Sequence, residues 1–209
     1  MIDSQLDRLR QIMVQLREGC PWDAEQTHES LLNHLLEEAC EVVDAVEDGT
    51  DEDLQEELGD VLLQVVFHAR IAEEEGRFSL DDVARSISDK LVRRHPHVFS
   101  DEAVPEDMWA NWEQRKAAEK GRKSALDGIA QSMSAIARAH KVISRSRSHG
   151  VEIGLPTEPI DEATVGSEIL ALVARAQANG VDADAAARKA LRALEQEIRT
   201  AEGGNTATE

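Results

Sequence analysis

The stretch from Leu31 to His68, LLNHLLEEACEVVDAVEDGTDEDLQEELGDVLLQVVFH, most constrains what this chain can fold into. Its apolar residues recur at helical spacing on both sides of an acidic break at Asp48-Gly49-Thr50-Asp51. That spacing predicts a helix, a short turn and a second helix running back. Helices joined this tightly are antiparallel neighbours. The expected inward faces are Leu31, Leu35, Ala39, Val42, Val43 and Val46 on the first helix, and Leu54, Leu58, Val61, Leu62 and Val65 on the second.

Within this hairpin, Glu38 and Glu41 are three apart, as are Glu57 and Asp60, and residues at i and i+3 share a helix face. With Gly49 as the apex, Glu41 lies 49 − 41 = 8 residues before it and Glu57 lies 57 − 49 = 8 after, while Glu38 and Asp60 are each 11 away. At about 1.5 Å of rise per residue the two pairs come to the same height. Asp60 sits among Leu58, Val61, Leu62 and Leu63, where an unpaired charge is costly to desolvate. Like charges brought together need a cation among them. All-oxygen ligands select a hard ion, Mg²⁺ before Mn²⁺ or Ca²⁺. The plainer reading is a solvated acidic face, and it suits Glu37, Asp51, Asp53 and Glu56. A di-iron bundle needs two Glu-x-x-His motifs on facing helices; Glu25 to His28 supplies one, without a mate.

The rest of the chain also reads as helical. Aromatics make up 3% of the 209 residues, Tyr is absent, and no alternating β-branched run is long enough for a strand. The expected fold class is therefore all-α. No apolar stretch reaches membrane-spanning length and no signal peptide pattern opens the chain, so the expectation is a cytoplasmic, soluble protein with no membrane partner. A net charge of −19 disfavours a nucleic acid polymer. Cys20 and Cys40 are too isolated for a disulfide framework, and Cys40 reads as a small buried residue.

In chain order, residues 2 to 18 form a first helix closed by Gly19. Trp22 follows in a rigid Gly-Cys-Pro-Trp-Asp turn and reads as a core plug, with a ligand contact as the alternative. Thr27 or Ser30 can cap the next helix. Gly76 ends the hairpin, and Ser79 starts a helix over about 80 to 94 that finishes in Lys90-Leu91-Val92-Arg93-Arg94-His95-Pro96-His97. Lys90 and Arg94, at i and i+4, share a face. Bases at a helix C-terminus ordinarily serve the dipole, yet in so acidic a chain three of them beside two histidines suggest a phosphate clamp. A helix from about Pro105 carries Trp109, Trp112, Lys116 and Lys120. Trp112, Lys116 and Lys120 fall on one face, an aromatic plane for a base with cations for phosphates. Core packing of Trp109 and snorkelling lysines are the plain alternative.

Together these segments resemble the MazG family of nucleoside triphosphate pyrophosphohydrolases. The matching blocks are GCPWDAEQTHESL at 19 to 31, EEACE at 37 to 41, ELGD at 57 to 60, KLVRRHPHVF at 90 to 99 and the WEQRKAAEK run from Trp112. The resemblance implies a MazG-like all-α bundle and hydrolysis of NTP or dNTP, damaged or non-canonical ones included, to the monophosphate and pyrophosphate. It also implies that Glu38, Glu41, Glu57 and Asp60 hold the metal. Lys90, Arg93, Arg94, Trp112 and Lys116 would then face the nucleotide. Glu37 would be a base beside the ligands, or else a surface acid. All-α dUTP or dCTP pyrophosphatases and phosphoribosyl-ATP pyrophosphohydrolases share this carboxylate logic, and a non-catalytic metal- or partner-binding module is the rival from another class.

The resemblance places a catalytic domain at 1–122 and a degenerate second repeat at 123–202, with a disordered tail at 203–209. Aligning TVGSEIL with ELGDVLL sets Thr164 at the Glu57 position and Ser167 at the Asp60 position, and neither can be a charged ligand. The expected work of this half is packing or dimer formation. Helical pairs of this size complete their cores by association, so a homodimer is expected.

Overall fold

A computed structural model describes residues 4–205 except 106, 109–111, 113, 114, 117, 118 and 120. Every regular element among the described residues is helical, so the all-α class holds. The chain divides between Asp101 and Glu102 into two compact units. This break precedes the boundary expected at 122, and it puts Trp112 and Lys116 in the second unit.

The first unit is organised by its helix ends. α1 (Gln5–Gly19) begins at Ser4, whose hydroxyl accepts the Asp7 amide at 3.1 Å. α2 (Pro21–Glu25) is a short turn with proline at its start. α3 (Leu32–Asp48) has no side-chain cap; Thr27 and Ser30 instead accept one another's amides in the preceding turn, at 3.1 and 2.9 Å. α4 (Asp51–Glu74) opens with a reciprocal cap in which Thr50 accepts the Asp53 amide and Asp53 accepts the Thr50 amide. Ser79 and Asp82 repeat the device at α5 (Leu80–Arg94), and α6 (Pro96–Phe99) follows. Gly49 joins α3 to α4 where a side chain would not fit: an added Cβ would lie 2.7 Å from the Ala45 carbonyl oxygen.

α3 and α4 pack as the expected antiparallel pair, and α1 and α5 rest on α4. The core is Met13, Leu31, Val66, Phe67 and Ile71, with Leu9, Leu63 and Leu80 against it. Burial therefore runs along Gln64, Phe67 and Ile71 of α4, not along the expected Leu58, Leu62 and Val65, which are 52%, 41% and 39% exposed. On α3, Val43 and Val46 are likewise exposed, together with Leu32 and Leu36. The reason is positional: α1 and α5 rest on α4, and among the described residues of the first unit the apolar line nearer the turn is left exposed. Trp22 is 54% exposed and meets His34 edge-on at 6.1 Å, so it is not a core plug. Cys40 is exposed rather than buried.

In the second unit, α7 (Ala135–Ser148) and α9 (Ala183–Asn205) pack together, and α8 (Glu162–Ala178) rests on α9. Leu126, Ile129, Val142, Leu191 and Ile198 form the core. The loop before α7 is tied down by Glu202, which accepts the Ala125 amide at 2.7 Å, and by Arg145, which donates to the Asp127 carbonyl at 2.7 Å. α9 continues through Asn205, so residues 203–205 are helical where a disordered tail was expected; the rest of that tail lies outside the described residues. No helix among the described residues is long and apolar enough to cross a membrane.

Candidate functional site

The hairpin brings carboxylates together as its register requires. Glu38 and Glu41 on α3 and Glu57 on α4 each offer an oxygen within 4.8 Å of the others. Among the described residues this is the sole cluster of three or more acids, histidines or cysteines so arranged. Asp60 is not part of that set, but its charge acts on both Glu38 and Glu57. Partial shielding from water, then the Glu41 carboxyl and the charge of Asp60, push the Glu38 carboxyl above the usual range. Glu57 is raised in the same direction, first by shielding and then by Glu41 and Asp60. Groups that resist ionising because like charges crowd them are relieved by a cation. The all-oxygen donor set fits a hard divalent ion.

Beside the cluster, a shallow cleft of about 290 Å³ at the turn is lined by Glu41, Asp44, Asp48, Asp53 and Glu57 with Ala45 and Gly49. Glu37, next to Glu38 in the chain, has a carboxylate that is 65% exposed, with His34 Nδ1 3.8 Å from it. On α5, Lys90 and Arg94 share a face, the first half-buried and the second buried, with Arg93 exposed. Lys90 lines a hollow of about 480 Å³ with Phe78, Asp82, Val83, Ser86 and Ile87. Trp112 and Lys116 are helical and half-buried within the second unit, while Trp109 and Lys120 lie outside the described residues.

Among the described residues, the second unit carries no matching centre. Thr164 donates both its amide and its hydroxyl to the Asp161 carboxylate at the start of α8, and the Ser167 hydroxyl donates to the Thr164 carbonyl. Both hydroxyls are thus engaged in the first turns of their own helix.

Two groups that frame the hairpin were not read from the sequence. Arg17 grips the Glu74 carboxylate at 2.6 Å and donates to the carbonyls of Asp23, Ala24 and Gln26, fastening α2 to the end of α4. His28 and His68 stack with ring centroids 5.0 Å apart and Nδ1 atoms 2.7 Å apart, joining the turn before α3 to α4. Arg77 contacts His28 Nε2 and can only donate, which assigns the His28 proton to Nδ1. His28 then donates to His68 Nδ1, and the His68 proton sits on Nε2, buried without a partner among the described residues. Burial, reinforced by His28, lowers the His68 pKa. The spacing of Glu25 to His28 drew attention to His28; its actual mate lies 40 residues on, beyond any local pattern.

The fold and site define an all-α unit whose antiparallel helices each deliver carboxylates to one point. Residues 26–99 match the family model described as the MazG nucleotide pyrophosphohydrolase domain. The chain is 44% identical over 199 residues to an uncharacterized 26.1 kDa protein in the blaB 3' region of Streptomyces cacaoi, covering 92% of this chain and 81% of that protein. This chain belongs to the MazG family. It is also 47% identical over 157 residues to the nucleoside triphosphate pyrophosphohydrolase of Escherichia coli K12, across 71% of this chain and 60% of that one. With the nucleoside triphosphate pyrophosphohydrolase/pyrophosphatase MazG of Thermotoga maritima it shares 52% over 121 residues, 57% of this chain and 47% of that one. The chain thus spans about half to three-fifths of the length of these two named relatives. The family match contains the carboxylates and Lys90, Arg93 and Arg94, and ends before Trp112 and Lys116.

Proposed function

We propose that this chain is a metal-dependent pyrophosphohydrolase that converts nucleoside triphosphates to monophosphates and pyrophosphate. The observation that carries the reading is the approach of Glu38, Glu41 and Glu57 to within 4.8 Å, with the ionisation of Glu38 and of Glu57 opposed by their surroundings. Those three, with Asp60 beside them, would hold Mg²⁺, with Mn²⁺ as a substitute. A divalent ion there would screen the charge of a triphosphate and acidify water for attack.

The remaining roles belong to the chain's own side chains. Attack at the α–β junction spreads negative charge over phosphate oxygens, and Lys90, Arg93 and Arg94 stabilise it electrostatically. Trp112 stacks on the base and Lys116 meets a phosphate, as the family resemblance assigns them. Glu37, exposed beside Glu38, takes the proton from the attacking water. The exposed apolar lines of α3 and α4 support a homodimer, because a patch of this kind is buried in a working assembly. Nucleotide-pool housecleaning in the cytoplasm, removing damaged or non-canonical triphosphates, is the role this activity fits.

The test is pyrophosphate release from a panel of canonical and modified NTPs and dNTPs, with Mg²⁺ and with EDTA, on wild type and Glu38→Gln. Metal-dependent release that is lost in a folded Glu38→Gln supports the assignment. Near-normal turnover in that variant, or no release from any triphosphate, would sink it.

A further inference from the structure

The second unit has a partly open hollow that the hydrolase reading leaves unused. Between the start of α7 and one face of α9 lies a cavity of about 90 Å³ whose polar lining is Gln131, Arg138, Arg188, Arg192 and Glu195, with Leu191 as an apolar wall. Arg188, Leu191, Arg192 and Glu195 recur at helical spacing, so α9 turns one stripe toward it. Arg138 is 8% exposed and forms the floor. Its Nε and Nη2 donate to Glu195 Oε1 at 3.0 and 2.6 Å, and its Nη1 donates to Gln131. Three of the five guanidinium hydrogens are thereby engaged, and two remain.

The charges at the cavity do not cancel. Arg188 is paired with Asp184 and Arg138 with Glu195, but Arg192 makes no ion pair among the described residues. Three arginines against two acids leave 3 − 2 = +1, in a chain whose net charge is −19. A chain carrying 42 acids has carboxylates in abundance, so an arginine left over at the mouth of an arginine-floored cavity is suited to an anion from solution. The volume bounds the anion's size: 90 Å³ corresponds to about three waters of liquid, whereas sites for whole drug-sized ligands run from about 300 Å³ upward. A nucleoside is too large, and a single tetrahedral oxyanion is not. Guanidinium forks match such an oxyanion in geometry as well as charge.

We infer that this cavity is a binding site for a phosphate-type oxyanion, inorganic phosphate or one end of pyrophosphate, held by Arg138 at the floor and Arg192 at the mouth. The inference does not rest on the hydrolase reading, because binding here requires neither a metal nor turnover. It gives the degenerate half a ligand of its own, in place of the metal that Thr164 and Ser167 cannot hold.

The experiment is calorimetric titration of the full chain with sodium phosphate and, separately, sodium pyrophosphate. Both are run in chelator-containing buffer at constant ionic strength, so that the carboxylate hairpin, without metal, repels the anion. Thermal unfolding in the same buffers provides the second readout. Arg192→Gln and Arg188→Gln alter exposed residues and leave the core intact, which circular dichroism checks. Saturable binding that weakens about tenfold in Arg192→Gln supports the site, the loss expected for one charge-assisted contact. Preference between the two titrants tells which source fills it. No saturable binding of either anion, or equal affinity in wild type and Arg192→Gln, overturns the inference; equal affinity would move the anion to other bases, such as those ending α5.

Discussion

Replacing Gly49 by alanine tests whether the hairpin turn is what sets the carboxylate register. The new Cβ would meet the Ala45 carbonyl oxygen at 2.7 Å, its Cα at 2.8 Å and its carbonyl carbon at 3.1 Å, where ordinary contact begins near 3.4 Å. The backbone must open by at least 3.4 − 2.7 = 0.7 Å, and backbone atoms cannot swing aside as a side chain would. Opening strains the Gly49 amide bond to Ala45, now 3.1 Å, which closes α3. Overpacking of this kind costs about 1–3 kcal/mol. The φ of −90° and ψ of −176° are open to alanine, so a stiffer unfolded chain returns roughly 0.4–1 kcal/mol. The expected net loss is about 1–2 kcal/mol, read by urea denaturation as a lower midpoint with unchanged slope. Metal affinity should fall too, because the turn fixes the equal heights of Glu41 and Glu57. Gly59→Ala, inside α4, is the opposite case: its Cβ meets nothing within 4 Å, and alanine in a helix interior gains roughly 0.5–1 kcal/mol. If Gly49→Ala is neutral, or both variants shift the same way, the steric argument fails.

Two further outcomes follow from the same geometry. The His68 pKa is lowered in the folded chain, so protonation favours the unfolded state. The stability it contributes is intact above its unfolded pKa of about 6.5 and is lost as pH falls through the depressed folded value. Denaturant midpoints from pH 8 to 5 should decline in wild type more steeply than in His68→Phe, and parallel slopes would remove His68 as the cause. The exposed apolar lines of the hairpin make an oligomer prediction: Leu36→Lys with Leu62→Lys should convert a dimer to monomer by light scattering, since each buried leucine contributes about 1.5–3 kcal/mol. A dimer of unchanged affinity would place the interface elsewhere.

What the sequence reveals and what it conceals divide along the range of the interactions involved. The hairpin, its turn and the caps at Ser79 and Thr50 depend on residues three or four apart, and α5 falls on Leu80–Arg94 as its pattern predicts. The carboxylate site is legible for a related reason: with a short turn, helical rise alone brings Glu41 and Glu57 to one height. The buried face of α4 is different. Leu58, Leu62 and Val65 are as apolar as Val66, Phe67 and Ile71, and a helix with apolar residues on more than one side does not state which side its own chain covers. That choice is made by α1 and α5, which reach α4 from outside the hairpin.

The same distinction explains why the polar fasteners were missed while the polar site was not. Arg17 and Glu74 are 57 residues apart and His28 and His68 are 40 apart, each an ordinary residue locally. Arg17 and Glu74 neutralise one another, so no charge is left over there. Glu38, Glu41, Glu57 and Asp60 are conspicuous because they are a surplus: like charges at matched height, whose crowding raises the proton affinity of Glu38 and of Glu57. Arg192 is a smaller surplus of the opposite sign, left over once Arg138 and Arg188 are paired. Stability pairs charges and function leaves them unpaired, so in both units the charge the fold does not balance is where a ligand belongs.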